Sequence, residues 1–377
     1  MSLLANAWSR EGVEVSLLTI APTGSDAYYL DPTVRRIGLD CEGSSSNPGV
    51  AIYNNLQRVR RLRAGIRELR PDVLVSFLTA TNVLTVLAAR PLGLPVIVSE
   101  RVAPETVHIG KFWRRLRKFA YRRAAAVVAQ TSHTAEWLRK EVPGACVEVI
   151  ANPVQAESEL AVDSPAQMAL TACRGQDVVL AAGRLTQQKG FDLLLRAFAT
   201  LAPWHPNWRL VILGEGPEGG ALRDLANQLG VADRVLFPGF SRTLHLLMRE
   251  SQLFVLSSRF EGMPNALAEA MACGMACVSF DCPAGPSELI SHEKNGLLVP
   301  AQDVARLTGA MDQLMGDEGL RRRLSQAARE SVATYSMDRV LERWNVLLTR
   351  VLEAAGRNGP RPISAACLHR GENGVGN

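Results

Sequence analysis

Apolar runs rich in Val, Ile and Leu recur through the first part of the chain, at residues 13–20, 72–78, 95–100, 125–130 and 146–152. Each is apolar almost throughout rather than alternating, as in strands covered on both faces, and helical stretches separate them. That alternation predicts a parallel sheet in a doubly wound domain. After a weakly periodic loop at 153–176 the pattern restarts, with strands expected at 177–183, 209–216, 234–240, 253–258 and 276–281. The chain therefore divides into two Rossmann-like domains, at 1–160 and 170–335. Within the second, 297–315 and 321–335 read as closing helices. A long amphipathic helix follows at 336–356, with Leu341, Trp344, Leu347, Leu348 and Val351 at helical spacing. The Gly-, Pro- and polar-rich stretch 357–377 reads as a disordered tail.

The front end departs from this pattern. Residues 2–10 read as a helix ended by Gly12, ahead of the strand at 13–20. A doubly wound domain opens instead with a strand and a Gly-rich turn. The first strand of the amino domain is thus expected to be missing.

A length of 377 residues suits two domains of ordinary size. With 47% hydrophobic and 21% charged residues the composition is that of a soluble globular protein. The net charge of +5 is small but concentrated. KFWRRLRKFAYRR, at 111–123, carries Lys111, Arg114, Arg115, Arg117, Lys118, Arg122 and Arg123 and no acid. It reads as an interfacial helix that grips anionic lipid headgroups or an acceptor's pyrophosphate, or as a connecting helix with a solvated cationic face. Nucleic acid is not expected as a partner, since the rest of the chain is nearly neutral.

The seven cysteines, Cys41, Cys146, Cys173, Cys273, Cys277, Cys282 and Cys367, form no Cys-x-x-Cys pair. They read as reduced thiols in a cytoplasmic protein, with no zinc site. No apolar run approaches the roughly 20 residues that span a bilayer. The start has no secretion-signal pattern, so the expected location is the cytoplasm, with a peripheral place at the membrane left open.

Candidate chemistry concentrates in the second domain. Glu261 and Glu269 stand eight positions apart in a run otherwise rich in Ala, Met, Cys and Gly. Pro264 suits a first helical turn, which puts Glu261 in the loop before a helix and Glu269 inside it. Free N–H groups around Gly262, Met263 and Asn265, on either side of Pro264, would favour an anion such as phosphate. The helical neighbours of Glu269 cannot pair with a carboxylate, and burial without a partner costs several kcal/mol. The vicinal hydroxyls of a ribose would supply one; the alternative is a solvent-facing Glu. Upstream, a strand ends at Gly183, and Arg184 and Lys189 follow before a helix from about Phe191. Cations at the carboxyl end of a parallel strand suit a diphosphate, or else are solvated loop charges. The loop at Gly239 and Phe240 lies on the same edge, leaving room for a base.

The ordered segments GRLTQQKG, GEGPEGGALRDLANQLG, VLFPGF, SRFEGMPNALAEAMACGMACVSFD, GPSELI and NGLLVP resemble the carboxyl half of the retaining family-4 glycosyltransferases. Glu261, seven residues and Glu269 resemble that family's paired-glutamate signature. The amino half is similar, less closely, to bacterial transferases that build lipid-linked oligosaccharides, capsule and exopolysaccharide, including N-acetylgalactosaminyltransferases.

The resemblance implies a GT-B fold, two Rossmann-like domains facing across a cleft, with the 336–356 helix crossing back to the amino domain. It implies that Arg184 and Lys189 hold a donor diphosphate, that Glu261 contacts the donor sugar, and that Glu269 holds the ribose. Gly183, Gly239, Phe240 and the amides of Gly262, Met263 and Asn265 would complete the donor site. Glu100 and Arg101 stand where many relatives place a donor-sugar histidine, which leaves the sugar's identity open. The implied reaction moves a hexose or N-acetylhexosamine from a nucleotide-sugar donor, with UDP the expected nucleotide, to a glycan or polyprenyl-diphosphate-linked acceptor. Retention, no metal and no cofactor are expected.

In such relatives a Gly-rich loop follows the first strand, and Met1 would fall in the helix after it. Either the start lies further upstream or the chain is an impaired nucleotide-sugar-binding remnant. A GT-B epimerase or phosphorylase would share the fold, but an epimerase needs acid/base histidines, and only His108 and His133 are near.

Overall fold

The computed structural model describes residues 1–23, 29–41, 47–101, 110–155 and 162–357. The tail after Arg357, with Cys367, and His108 lie outside the described residues.

In the amino-terminal half, α1 (Ser2–Arg10) precedes β1 (Ser16–Thr19), which pairs in parallel with β2 (Arg35–Gly38). The long helix α2 (Pro48–Leu69) leads to β3 (Leu74–Phe77), and α3 (Thr79–Ala89) to β4 (Val96–Ser99). Next come α4 (Lys111–Tyr121), β5 (Ala126–Ala129), α5 (Ser132–Glu141) and β6 (Val147–Val149). Strands β3-β4-β5-β6 form a four-stranded parallel sheet, while β1 and β2 form a sheet of their own. β4 and β5 are buried at every position. Their alternate side chains enter two different cores: Ile97, Ala126 and Val128 on one face, Val96, Val98, Val127 and Ala129 on the other. Double coverage is why the apolar runs are continuous.

The carboxyl-terminal half opens with α6 (Ser164–Ala172), β7 (Asp177–Ala182), α7 (Phe191–Leu201) and β8 (Trp208–Leu213). Then follow α8 (Gly219–Gln228), β9 (Val235–Gly239), α9 (Leu244–Glu250), β10 (Leu253–Leu256), α10 (Asn265–Ala272) and β11 (Ala276–Asp281). α11 (Pro286–Leu289), β12 (Leu297–Pro300), α12 (Val304–Gly316), α13 (Glu318–Ser331) and α14 (Met337–Ala354) complete it. The sheet is six-stranded, in the order β12-β11-β10-β7-β8-β9, and parallel throughout. The order reverses between β7 and β10. Ligands of such sheets bind outside the carboxyl ends of the strands at that reversal.

Two expectations need correction, and one strand was not anticipated. The 153–176 loop contains α6, whose first turn is capped by Asp163 accepting from the Ala166 N–H at 3.1 Å. Its buried residues, Ala166 and Ala169, are too small to give a clear apolar period. Residues 297–300 are not the start of a helix but β12, paired with β11; α12 begins only after Asp303, whose side chain caps the Arg306 N–H. β2 carries two arginines in four residues and gave no apolar run to read.

α14 leaves the carboxyl-terminal half and packs on the amino-terminal sheet. Val340, Leu341, Trp344, Leu347, Leu348 and Val351 share a core with Leu4, Trp8, Ile97 and Val128. Trp344 meets Trp8 edge to face at 5.9 Å, and Trp8 Nε1 donates to Asn345 Oδ1 at 2.9 Å. Among the described residues, no helix is long and apolar enough to cross a membrane.

Trp344 is 1% exposed, so Trp344→Ala is expected to cost about 3–5 kcal/mol. Urea denaturation followed by intrinsic fluorescence should show the amino-terminal transition at lower denaturant. An unmoved transition would mean that α14 does not support that domain.

Candidate functional site

The loops after β7 and β10 meet at the reversal of strand order. Gly190 lets them touch: its φ is +62°, and a Cβ there would lie 2.1 Å from the Ser257 carbonyl oxygen. Four contacts stitch the loops together. Ser257 Oγ donates to the Lys189 carbonyl at 2.9 Å, and Gln188 Nε2 to the Phe260 carbonyl at 3.0 Å. The Arg259 N–H donates to the Gln188 carbonyl at 2.8 Å, and its guanidinium grips Asp192 through two bonds of 2.9 and 2.7 Å. Burial by itself would raise the Asp192 carboxyl, but the bonds and charge of Arg259 hold it below the usual range.

This frame places Lys189 against Glu261. The ammonium lies 2.6 Å from Glu261 Oε1, and Ser258 Oγ donates to the same oxygen at 2.6 Å. The two side chains are 17% and 7% exposed. A carboxylate this buried requires such partners. Gly183 flanks the Lys189 stem, where a Cβ would meet Cε at 2.8 Å. Arg184 projects from the same loop into solvent and makes no ion pair among the described residues. Gly239 ends β9, and Phe240, just beyond it, is 44% exposed.

Helix α10 starts at Asn265, directly after Pro264, and no side chain caps its first turn. The Gly262, Met263 and Asn265 segment thus leads into a helix N-terminus beside the Lys189–Glu261 pair. Glu269 lies inside α10, and burial pushes its carboxyl up to about 7. Among the described residues no cation or donor is paired with it.

Glu100 and Arg101 have a different setting. Glu100 is 3% exposed inside the amino-terminal half. Its carboxylate accepts from the Tyr121 hydroxyl and from Thr79 Oγ1, the latter at 3.1 and 2.9 Å. Burial raises this carboxyl despite those bonds. Its hydrogen bonds stay within its own domain, and among the described residues none links it to Lys189 or Glu261. Arg101 lies over the Phe77 ring at 4.3 Å and donates to Asn152 Oδ1. Burial lowers it to about 10.

Asn152 is a residue that sequence reasoning missed. Its N–H donates to Met263 Sδ at 3.1 Å and its Nδ2 to Asn265 Oδ1 at 2.8 Å. In the sequence it stood only as the last residue of the apolar run 146–152. Ser258, Arg259 and Asp192 were missed as well, because their partners lie 67 residues or more away or in an unremarkable Ser pair.

The cationic stretch 111–123 is largely α4, and much of it faces inward. Trp113 and Leu116 pack into a core, Tyr121 is buried, and Arg117 lies over Trp137 at 4.7 Å. Lys118 pairs with Glu141 at 3.1 Å, and Arg123 lies over Phe119 at 3.7 Å. The outward face is left with Lys111, Arg114, Arg115, Arg122 and a single aromatic, Phe112, 64% exposed. Among the described residues, no group of three or more His, Cys, Asp or Glu is placed to hold a metal ion.

Comparison with known proteins agrees with this geometry. A glycosyl transferase 4-like domain matches residues 1–153, and a model of glycosyl transferases group 1 matches residues 169–331. An alpha-1,4-N-acetyl-D-galactosaminyltransferase of Campylobacter jejuni, named for a diNAcBac-PP-undecaprenol-linked substrate, is 27% identical over 93% of this chain and 94% of its own. Three other curated relatives match at 31–34% identity, and the chain spans 24%, 48% and 65% of their lengths. Sucrose-phosphate synthase from Thermosynechococcus elongatus superposes with a TM-score of 0.79 at 21% identity, over 93% of this chain and 92% of that one. HepE of Anabaena, solved in complex with UDP, does so with a TM-score of 0.69 at 18% identity, over 84% and 87%. The carboxyl-terminal half is a glycosyl transferases group 1 domain and the amino-terminal half a glycosyl transferase 4-like domain, together built on the two-domain GT-B fold.

Proposed function

We propose that this chain transfers a hexose or N-acetylhexosamine from a UDP-sugar to a hydroxyl of a glycan or lipid-linked acceptor, with retention at the anomeric carbon. The observation that carries the reading is a cation–acid pair at the sheet reversal, Lys189 and Glu261, the latter in the loop that leads into α10, with a half-buried acid, Glu269, further along that helix and unpaired among the described residues. The pair and the α10 amides suit a diphosphate and sugar; Glu269 suits the two hydroxyls of a ribose. The Anabaena neighbour solved with UDP and the Campylobacter relative named for N-acetylgalactosamine transfer support the choice of donor.

In this reading the chemical demand is electrostatic. Negative charge develops on the leaving diphosphate, and preorganised donors at its position lower the barrier. Lys189, Arg184 and the amides at the start of α10 supply those donors without a metal. Glu261 accepts from sugar hydroxyls while Ser258 and Lys189 hold it in place. The leaving phosphate oxygen takes the acceptor proton, so no carboxylate of the chain acts as nucleophile. Closure of the two domains excludes water and suppresses hydrolysis. The outward cations of α4, with Phe112, serve as the contact for anionic headgroups or an acceptor diphosphate at the membrane surface.

Calorimetric titration with UDP tests the donor site. Wild type should bind, and Glu269→Ala and Lys189→Ala should each weaken binding by about 1–3 kcal/mol. A folded chain silent toward UDP, GDP and ADP alike would overturn the reading.

A second test uses pH. Because the folded-state carboxyl of Glu269 titrates at about 7, above its ordinary value, the folded chain holds that proton more tightly than the unfolded chain. Its contribution to stability is complete below the unfolded value and is lost as pH rises through 7. Glu269→Gln should therefore gain on wild type between pH 5 and pH 8 by on the order of 3 kcal/mol in unfolding free energy. Over the same range UDP affinity of wild type should rise with pH, since only the ionised carboxylate accepts both hydroxyls. A variant-to-wild-type difference equal at both pH values would remove the argument from Glu269.

A further inference from the structure

Glu288, in the GPSELI segment, makes none of the donor contacts described above, yet it bridges the two halves of the molecule. Its Oε2 accepts from the Ser132 N–H at 2.9 Å and its Oε1 from the His133 N–H at 3.1 Å. Both amides belong to the first turn of α5, in the amino-terminal half. The third amide of that turn, on Thr134, is taken by Thr131 Oγ1 at 3.2 Å. The start of α5 is thus fully satisfied, two-thirds of it by a carboxylate from the other domain. Helix starts carry partial positive charge, and charge-assisted bonds from backbone amides to a carboxylate are the stronger kind.

The backbone that carries Glu288 leans on the donor loop. Glu288 donates its own N–H to the Gly285 carbonyl at 3.0 Å. Gly285 has φ +105°, and a Cβ there would lie 2.2 Å from the Gly262 oxygen and 2.6 Å from Pro264 Cδ. The loop is held from its other side by Asn152, through Met263 and Asn265. A chain of contacts therefore runs from the donor loop through the Gly285 backbone and the Glu288 side chain to the amino domain. Glu288 itself is exposed at the rim, so water can replace its contact with α5 when the domains part.

We propose that Glu288 is a positioning residue, a latch whose carboxylate seats on the start of α5 and holds the donor loop in register with the amino-terminal half when the domains close. Its consequence for catalysis rests on the donor reading given above; the latch itself does not. An exposed charge–dipole contact is screened by salt, so the closed arrangement should loosen as ionic strength rises.

Small-angle X-ray scattering of the full chain, with and without UDP and at low and high salt, paired with UDP calorimetry, tests the latch. Glu288→Ala should bind UDP within about 2-fold of wild type, because the donor contacts lie in the carboxyl-terminal half. Its scattering profile should match at low salt the more open profile that wild type reaches only at high salt. Glu288→Gln, which retains one acceptor oxygen, should fall between. Ser132→Pro approaches from the other side: proline is tolerated at the first position of a helix and deletes one of the two N–H donors. It should open the profile in the same direction with UDP affinity unchanged, and it keeps the test alive if Glu288→Ala fails to fold. Profiles indistinguishable from wild type in both variants would overturn the proposal, as would a loss of UDP affinity that parallels the opening. If wild type binds none of UDP, GDP and ADP, the donor reading fails, and the scattering comparison alone still decides the latch.

Discussion

The pairing of Lys189 with Glu261 is the contact on which the site depends. A carboxylate 7% exposed in its side chain cannot remain charged there without a cation and a hydroxyl donor, and both come from loops that the sheet order brings together. Strand order β10-β7 sets the loops side by side, Gly190 lets their backbones touch, and Arg259 with Asp192 holds the two in register. Replacement of either partner alone would leave a buried charge. The pair thus couples local folding of the crest to the presence of the binding groups.

Much of the fold was legible because doubly covered strands are continuous apolar runs, and every strand buried on both faces was anticipated. What escaped had weak apolar signal: β2, with two arginines, and α6, whose buried face is alanine. β12 was misread because Leu297, Leu298 and Val299 run on toward a real helix with only a short break between. At the site, Lys189, Glu261 and Glu269 could be singled out because motif and spacing are local. Asn152 and Glu288 could not. Their partners lie 111 to 156 residues away, and an Asn closing an apolar run or an exposed Glu carries no sign of a distant helix start. Glu100 was singled out from chain position alone; that position carried no sign of the burial and of the hydrogen bonds to Tyr121 and Thr79 that the fold gives it.

Among the described residues, three unlike kinds of contact stand out between the two halves. α14 contributes an apolar face to the amino-terminal core, Asn152 makes a neutral hydrogen-bonded bridge, and Glu288 makes an exposed charge–dipole contact. The first buries six apolar side chains of α14 in the amino-terminal core. The other two are small and polar, of the kind that break and reform at little cost. An apolar anchor combined with small polar contacts is the division of labour that the proposed domain closure would use.

The packing of Trp344 against Trp8 also has a consequence for synthesis of the chain. Domains generally form in order as they leave the ribosome, but here one wall of the first domain is its last helix. Until residues near 354 emerge, Leu4, Trp8, Ile97 and Val128 lack the apolar face that covers them. The amino-terminal half is therefore obliged to wait, with a sticky surface open, for the whole of the second domain to be made, and this places its need for chaperone protection at the end of translation rather than the beginning.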